Sequence, residues 1–252
     1  MVKEITSLEN KVYKQTKKLL SRADRQKQGR YIAEGKRLVA DAVSAGDAEY
    51  IFVSRSYKGE LYDIDTYIID DKMFGALSET TTTQGIVAVC KMRPRDIDEL
   101  CGDTLLIADN VSDPGNLGTL IRTAECSGVD GVVLTKGTVD PYSPKVVRSA
   151  MGSIFRMPIY FTDADELKEK LSGYTLVSTL LDGSTDLYET QFPKKTAVVV
   201  GNEAHGVSDE VAKMSDIRIK IPMLGGAESL NAAVAGSVVM YEIFRQKNTK
   251  KR

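Results

Sequence analysis

Apolar residues along the chain form two kinds of pattern that alternate with each other. Continuous apolar runs, such as Thr104–Ala108, are typical of strands buried on both faces of a sheet. Positions such as Leu38, Val39 and Val43 recur instead at the spacing of one helix face. The alternation predicts an α/β protein whose main sheet is mostly parallel and covered by helices on both faces.

The first third of the chain predicts a small α/β unit. Apolar residues from Leu8 to Leu20 recur among lysines and predict a first helix, whereas the polar, basic segment 21–29 predicts a loop. The other predicted elements of this unit are strand Tyr31–Ala33, a helix from Gly35 to Ala45, strands Tyr50–Val53 and Thr66–Ile69 with a short helix between them, a helix over Asp71–Leu77 and strand Ile86–Cys90.

A charged segment with one proline, residues 91–95, follows this unit and predicts a linker. The chain is therefore expected to divide into domains 1–95 and 96–252. The predicted elements of the second domain are strand Thr104–Ala108, helix Leu117–Ser127, strand Val132–Leu134, helix Ser143–Met151, strand Ile154–Phe161, helix Ala164–Leu171, strands Thr175–Leu180 and Ala197–Val200, helix Ser208–Met214, strand Ile217–Ile221 and a last helix over Leu230–Gln246.

The composition excludes several classes of protein. One histidine and three cysteines without metal-ligand spacing argue against a zinc centre and against histidine-based acid–base chemistry. No apolar run approaches the ~18 residues of a membrane span. The N-terminus carries charges where a signal peptide would be apolar. We therefore expect a protein of the cytoplasm that acts without a metal or a membrane.

Basic residues are concentrated at the two ends of the chain. Residues 1–38 carry eleven Lys and Arg against four acids, and the tail 245–252 adds five more basic residues and no acid. Because the whole chain has a net charge of −1, the remainder is acidic. Basic ends are expected to meet a polyanion, nucleic acid first, although a solvated helix with a frayed tail explains the charges equally well.

Three polar, glycine-containing segments follow strands of the second domain: 109–125, 200–206 and 221–233. In an open α/β sheet, ligands bind at the carboxyl ends of strands. Each segment alone is explained by turns and helix caps. Arg122 fits that explanation less well, because Asn116, Thr119 and Arg122 share one helix edge beside the loop. A purely structural role for Arg122 would be an ion pair with Glu125.

Two common nucleotide motifs are missing from these segments. No G-x-G-x-x-G follows the first strand of the domain, and no G-x-x-x-x-G-K-[ST] occurs. The sequence therefore does not support a dinucleotide site of the Rossmann type or a P-loop.

The segments NVSDPGNLGTLIRTAECSG, VVVGNEAHGVSDE and IPMLGGAESLNAAVAGSVVMYE resemble, in this order, the three motifs of the SpoU (TrmH) family of RNA 2′-O-ribose methyltransferases. The N-terminal segments SRADRQKQGRYIAEGKRLVADAVSAG and TTTTQGIVAV resemble the small ribosomal-protein-like RNA-binding domain that precedes the catalytic domain in many members. The resemblance covers nearly the whole chain.

The resemblance implies a SPOUT-type fold, in which the C-terminal part of the sheet is threaded into a trefoil knot that binds S-adenosylmethionine. It also implies a homodimer in which the last helix lies at the interface. Its small residues, among them Gly236, would permit close approach between subunits or within one chain. The implied cofactor-binding residues are Thr179, Leu180, Gly201, Ile221, Met223, Gly225 and Leu230.

By match to the motifs, Arg122 is the group that activates the ribose hydroxyl. Because arginine is normally always charged, its simpler role is a clamp on the phosphate and on the developing alkoxide. Asn116 would place the ribose or the arginine, and Glu203 would orient Arg122 or the substrate. Ser229 and Asn231 would line the site, whereas His205 is expected at the surface or behind the site.

The N-terminal domain is expected to supply RNA affinity through phosphate contacts. The target is ribosomal RNA or, alternatively, transfer RNA. Two rival classes remain, a non-catalytic RNA-binding or ribosome-assembly protein of the same fold and a guanine-N1 methyltransferase on a related knotted fold. The basic residues expected to contact phosphate are Lys14, Lys17, Lys18, Arg22, Arg25, Lys27 and Arg30.

Overall fold

The computed structural model describes residues 1–180 and 184–249. The backbone packs into two compact units, each with its own sheet. Unit 1 comprises Met1–Arg93 and Asp140–Arg156, and unit 2 comprises Pro94–Val139 and Met157–Arg252. The packing departs from the predicted division in one respect, because residues 140–156, which lie between two strands of unit 2 in sequence, pack in unit 1.

Unit 1 is built on a five-stranded sheet with the strand order β1-β4-β3-β5-β2. Strand β5 pairs antiparallel with both β2 and β3, whereas β4 pairs parallel with β1 and β3. Its elements are β1 (Val2–Glu4), α1 (Lys11–Lys18), α2 (Arg22–Gln28), β2 (Arg30–Glu34), α3 (Lys36–Ser44), β3 (Ala48–Ser54), β4 (Thr66–Ile69), α4 (Asp71–Gly75), β5 (Ile86–Lys91) and, from the later segment, α6 (Pro144–Ala150) with a 3-10 turn at Ser153–Phe155.

Strand β2 forms one edge of this sheet, and the segment 140–156 covers it. Helix α6 packs on β2. The ring of Tyr31 on β2 lies 5.0 Å from that of Tyr142 and is stacked on Phe155 at 6.4 Å. An edge strand covered in this way cannot pair with another chain. Unit 1 is therefore incomplete without the segment that the sequence assigned to the second domain.

Unit 2 is built on a seven-stranded sheet with the strand order β10-β12-β9-β11-β6-β7-β8, in which every described pair is parallel. Strands β6 and β11 lie near its centre, because their apolar side chains are suited to burial on both faces. Fully buried examples are Leu105, Ile107, Ala197 and Val199. Its elements are β6 (Thr104–Ala108), α5 (Pro114–Cys126), β7 (Gly131–Thr135), β8 (Ile159–Thr162), α7 (Leu167–Lys170), β9 (Thr175–Thr179), β10 (Thr185–Asp186), β11 (Thr196–Val200), α8 (Asp209–Met214), β12 (Ile217–Lys220) and α9 (Ala232–Thr249), with a 3-10 turn at Ile97–Glu99.

Helix α9 packs closely on α5 and β11 because small residues face them. A Cβ atom at Gly236 would lie 2.6 Å from Leu120 Cδ2 and 2.8 Å from Val200 Cγ2. Ser237 donates from Oγ to Thr123 Oγ1 at 3.0 Å. Gly236 and Ser237 are therefore used for packing within the chain.

The predicted fold class is confirmed, and most predicted elements are present. The loop predicted at 21–29 is wrong, because Arg22–Gln28 forms α2, which ends at the left-handed Gly29. No helix lies between β3 and β4, a stretch that the structure describes in full. The predicted strand 154–161 is reduced to Ile159–Thr162, because a 3-10 turn precedes it. The pattern did not reveal the short strands β1 and β10. The trefoil knot stays a prediction.

No helix within the described residues is long and apolar enough to cross a membrane. Of the basic C-terminal tail, residues 250–252 lie outside the described residues.

Candidate active site

The loops that follow β6, β11 and β12 lie at the carboxyl edge of the seven-stranded sheet. The first begins with Asp109 and Asn110. Asp109 continues the ladder, its N–H donating to the carbonyl of Val200 on β11 at 2.8 Å. Asn110 has φ 57°, a left-handed conformation that lets the chain leave the strand sharply. The loop then ends at Asp113, whose carboxylate accepts from the N–H of Asn116 and caps α5.

The carboxylate of Glu203, in the loop after β11, binds the loop after β6 through four hydrogen bonds. Oε2 accepts from the N–H of Ser112 at 3.1 Å and from its hydroxyl at 2.7 Å. Oε1 accepts from the N–H of Asp113 at 3.0 Å and from Nδ2 of Asn116 at 2.9 Å. Both oxygens are therefore used to hold the first loop and the start of α5.

The pKa of Glu203 reflects this arrangement. Partial burial raises the pKa, but the hydrogen bonds from Asn116 and Ser112 outweigh it and lower the pKa from 4.5 to about 2. The group is thus a carboxylate throughout the neutral range. It accepts hydrogen bonds and is too weak a base to remove a proton from an alcohol.

Asn231 extends the network to the third loop. Its Nδ2 donates to Oδ1 of Asn116 at 2.9 Å, and its own Oδ1 accepts from the N–H groups of Ala233 and Val234 at the start of α9. The chain Glu203–Asn116–Asn231 therefore joins all three loops. The motifs predict that these residues lie close together, but they do not predict which atoms form the hydrogen bonds.

A second carboxylate, Asp109, forms hydrogen bonds that connect the loop after β6 with the loop after β11. It is 2% exposed. Its Oδ1 accepts from the hydroxyl of Thr135 at 3.0 Å, and its Oδ2 accepts from the N–H of Ser208, the N-cap of α8, at 2.7 Å. The Thr135 hydroxyl in turn accepts from the N–H of Asn110. Asp109 is not among the predicted site residues, although an acid directly after a buried strand is a signal for such a role.

A cavity of about 650 Å³ opens between the second and third loops. This volume lies in the ordinary range of small-molecule sites. Its walls combine apolar side chains with exposed backbone at strand ends, which suits a nucleoside with a charged tail. The predicted residues that line it are Thr179, Leu180, Gly201, Ile221, Met223, Leu230, Glu203 and Ser229, whereas Gly225 is not among the lining residues.

Gly201 supports the cavity wall at a point where no side chain fits. A Cβ there would lie 2.1 Å from the carbonyl carbon of Gly206 and 2.2 Å from the N–H nitrogen of Val207. The loop closes on itself, since Asn202 and Gly206 exchange backbone hydrogen bonds at 2.8 Å. Alanine at this position would force the loop open.

We expect Gly201→Ala to weaken S-adenosylmethionine binding at least about tenfold, because the clash displaces backbone that lines the cavity. The matched control is Gly75→Ala in unit 1, where an added Cβ meets nothing within 4 Å. Calorimetric titration of both variants with the cofactor checks this. Equal affinities of the two variants would contradict the assignment of Gly201 to the cofactor site.

Arg122 lies on α5 and is exposed. No hydrogen bond or ion pair of its side chain is present among the described residues, and its orientation by Glu203 and its alternative pair with Glu125 stay predictions. Arg122 is not among the residues that line the cavity, whereas His205 is. His205 is exposed, and its backbone N–H donates to Oδ1 of Asn202.

Among the basic residues predicted to contact RNA, Arg25 is an exception. It is 4% exposed, donates through Nε and Nη2 to Asp140 at 2.9 and 2.7 Å, and donates through Nη1 to the carbonyls of Leu19 and Leu20. The prediction that Arg25 binds phosphate is therefore wrong, because its donors are used inside unit 1.

The other predicted RNA contacts lie at the surface of unit 1. Arg30 is half-buried and paired with Glu49, and Lys14 is paired with Glu9. The exposed members of the set without an ion pair in the described residues are Lys17, Lys18, Arg22 and Lys27.

The fold and the cavity define an α/β protein with a small-molecule site at the carboxyl ends of parallel strands. Residues 103–241 match the SpoU rRNA methylase family, and residues 2–88 match the MRM3-like substrate-binding domain. The chain belongs to the SpoU rRNA methylase family and is an S-adenosylmethionine-dependent RNA methyltransferase.

Individual relatives are similar over most of this chain. The chain is 36% identical to the 23S rRNA (guanosine(2553)-2′-O)-methyltransferase RlmP of Bacillus subtilis, over 96% of this chain and 99% of that protein. It is 31% identical to the mitochondrial rRNA methyltransferase 3A of Danio rerio, over 90% of this chain and 66% of that one. The crystal structure of an AdoMet-bound rRNA methyltransferase from Sinorhizobium meliloti superposes with a TM-score of 0.87 at 29% identity, over 97% of this chain and 98% of that one.

Proposed function

We propose that the protein methylates the 2′-hydroxyl of a ribose in ribosomal RNA. The observation that carries this proposal is the joining of three loops by Glu203, Asn116 and Asn231 beside a cavity of nucleoside size. The names of the relatives support it, since the B. subtilis protein is a 23S rRNA 2′-O-methyltransferase and the D. rerio protein is an rRNA methyltransferase. We also propose a cytoplasmic location, since a reducing compartment suits the free cysteines Cys90, Cys101 and Cys126.

The chemistry needs positioning more than it needs a strong base, because the hydroxyl proton leaves late in the transfer and can pass to solvent. When bound, the cofactor supplies a methyl group already activated by a sulfonium charge. The residues of this chain hold the acceptor oxygen in line with it, which is worth ~7–11 kcal/mol in well-oriented reactions. Asn116 and Asn231 are fixed through Glu203 and present amides to the ribose, while the guanidinium of Arg122 clamps phosphate and stabilises charge on the oxygen.

The active form that we propose is a homodimer formed through α9. Val234, Tyr241 and Phe244 are 48%, 49% and 43% exposed, and their spacing of seven and three residues places them on one helix face. The opposite face of α9 packs on its own sheet. An exposed apolar stripe on a helix is suited to pair with the same stripe of a second copy about a two-fold axis.

A charge on that stripe should prevent association. We expect Tyr241→Glu to sediment as a monomer with an unchanged circular dichroism spectrum, because it places a charge in an apolar interface. The matched control is Tyr188→Glu, an exposed tyrosine 58% accessible outside α9. A monomeric wild-type protein in analytical ultracentrifugation would refute the dimer.

The decisive experiment is ribose-methylation mapping of total RNA from cells with and without the gene, followed by nucleoside mass spectrometry of the affected position. A 2′-O-methyl site in ribosomal RNA that disappears on deletion and returns with the wild-type gene supports the proposal. A lost base methylation, a lost site in transfer RNA or an unchanged methylation pattern would each contradict it.

A further inference from the structure

Three basic side chains line the cavity in addition to the residues predicted for the cofactor: Lys213, Arg218 and Lys220. Lys213 lies in the last turn of α8. Arg218 and Lys220 alternate with the buried Ile219 along β12, so both project from the same face of the sheet. All three are exposed, and Arg218 contacts α8 through a hydrogen bond from Nη2 to the carbonyl of Ala212 at 3.3 Å.

These three cations are largely free of protein partners. The side chains of Lys213 and Lys220 make no ion pair or hydrogen bond among the described residues, and Arg218 uses only one donor. Three carboxylates line the same cavity, Glu203, Asp209 and Glu228. Glu203 keeps its negative charge while its oxygens hold the first loop, and none of the three carboxylates forms an ion pair with Lys213, Arg218 or Lys220 among the described residues.

The methyl donor does not account for a group of cations. S-adenosylmethionine carries a sulfonium and an ammonium against a single carboxylate, so it has a net positive charge. One basic side chain could meet that carboxylate and one acid could meet the ammonium, which leaves two of the three cations without a partner from the donor. A second, anionic occupant of the cavity mouth gives them a role.

The substrate itself supplies such an anion. The 2′-oxygen of an internal ribose is on the carbon adjacent to the one that bears the 3′-phosphodiester, so a ribose presented to the donor brings that phosphate to the cavity with it. We propose that Lys213, Arg218 and Lys220 bind the phosphates that flank the target ribose, so that unit 2 itself binds RNA. This inference rests on the proposed function and adds the substrate-binding surface on the cofactor side of the site.

The test uses charge reversal in the full-length protein. We expect Lys213→Glu/Lys220→Glu to weaken the binding of a single-stranded ten-nucleotide RNA, in the presence of S-adenosylhomocysteine, at least about tenfold at 0.1 M salt. The slope of log K against log[salt] should become shallower by about 0.7 for each phosphate that the protein no longer neutralises. The matched control is Lys168→Glu/Lys195→Glu, which changes the charge equally at exposed lysines of unit 2 that do not line the cavity.

Cofactor affinity separates this role from the alternatives. We expect calorimetry to show that the double charge reversal lowers the affinity for S-adenosylhomocysteine by a smaller factor than the affinity for RNA, because the single cofactor carboxylate needs only one cation and Arg218 remains, and we expect Lys213→Arg/Lys220→Arg to retain RNA binding. Weakened cofactor binding with an unchanged salt slope, or equal losses of RNA affinity in both double variants, would overturn the proposal. Failure of the proposed function would instead appear as unchanged RNA methylation in the gene deletion, whatever the salt slopes show.

Discussion

Arg122→Ala is expected to lose at least about 100-fold in turnover while its affinity for S-adenosylmethionine stays within about twofold of wild type. The loss follows from removing a donor aimed at charge that develops in the transition state, an effect of ~2.7–4 kcal/mol in comparable sites. Cofactor affinity is spared because Arg122 does not line the cavity. Single-turnover methylation of transcribed ribosomal RNA and calorimetry with the cofactor measure the two quantities.

The chemistry of the guanidinium can be separated from its charge. Arg122→Lys keeps the charge but loses the planar fork that grips phosphate with two parallel hydrogen bonds, so we expect it to remain strongly impaired. The matched control is Arg95→Ala, which removes an exposed arginine of unit 2 away from the cavity. Wild-type turnover by Arg122→Ala would remove this residue from the mechanism.

The environment of Arg122 also predicts how its substitution affects the stability of the fold. A side chain that is exposed and has no partner in the described residues contributes little to the stability of one chain. Its substitution should therefore leave the thermal unfolding midpoint unchanged. An exposed arginine that has no partner among the described residues and lies on the edge of a helix next to the site is explained by a ligand better than by structure.

The sequence pattern predicted the seven-stranded unit well because each of its central strands is a continuous apolar run. Strand β6 is predicted and observed at Thr104–Ala108, and β11 differs by one residue. Such strands are buried on both faces, so their identity depends on their own composition. The motifs likewise brought Asn116, Glu203 and Asn231 together, because the carboxyl ends of parallel strands share one edge.

The failures have tertiary causes. Helix α2 was predicted as a loop because its seven residues carry no apolar stripe; the helix is held instead by Arg25, which reaches Asp140 more than a hundred positions away. No local pattern reports such a contact, and the same contact removes Arg25 from the set of phosphate-binding residues. The transfer of residues 140–156 to unit 1 has a similar origin, since Tyr142 and Phe155 find their partner in Tyr31.

This packing bears on how RNA binding can be tested. Deleting residues 1–95 would leave Tyr142, Val146, Val147 and Ile154, all buried in unit 1, without the sheet that covers them. Loss of RNA binding by such a truncated chain would then report misfolding. Point substitutions of exposed lysines avoid this, because they remove charge without removing core.

Glu203 shows most clearly what the structure adds to the motif. The sequence suggested an acceptor for Arg122 or for the substrate, whereas the carboxylate is saturated by Ser112, Asp113 and Asn116. It therefore acts through these groups as a positioning residue. Its effect on catalysis passes through the orientation of Asn116 and of α5, the helix that carries Arg122.

Replacing Glu203 by glutamine is expected to lower kcat at least about tenfold. Glutamine keeps one acceptor oxygen but turns an NH2 group toward one of the two pairs of donors, so a pair of charge-assisted hydrogen bonds is lost, each of ~1.5–3 kcal/mol before solvent screening. The matched control is Glu210→Gln, an exposed glutamate of α8 outside the cavity lining. Steady-state kinetics with ribosomal RNA provides kcat and KM separately.

The pH profile distinguishes positioning by Glu203 from proton transfer. Its pKa is lowered in the folded protein from 4.5 to about 2, so the stability that its ionised form contributes is complete above pH 4.5 and is lost only as the pH falls toward 2. Between about pH 5 and 9 the wild-type residue does not titrate. Glu203→Gln should therefore lower kcat by the same factor at every pH in that range, whereas the disappearance of a titration step near neutrality would show that Glu203 moves a proton.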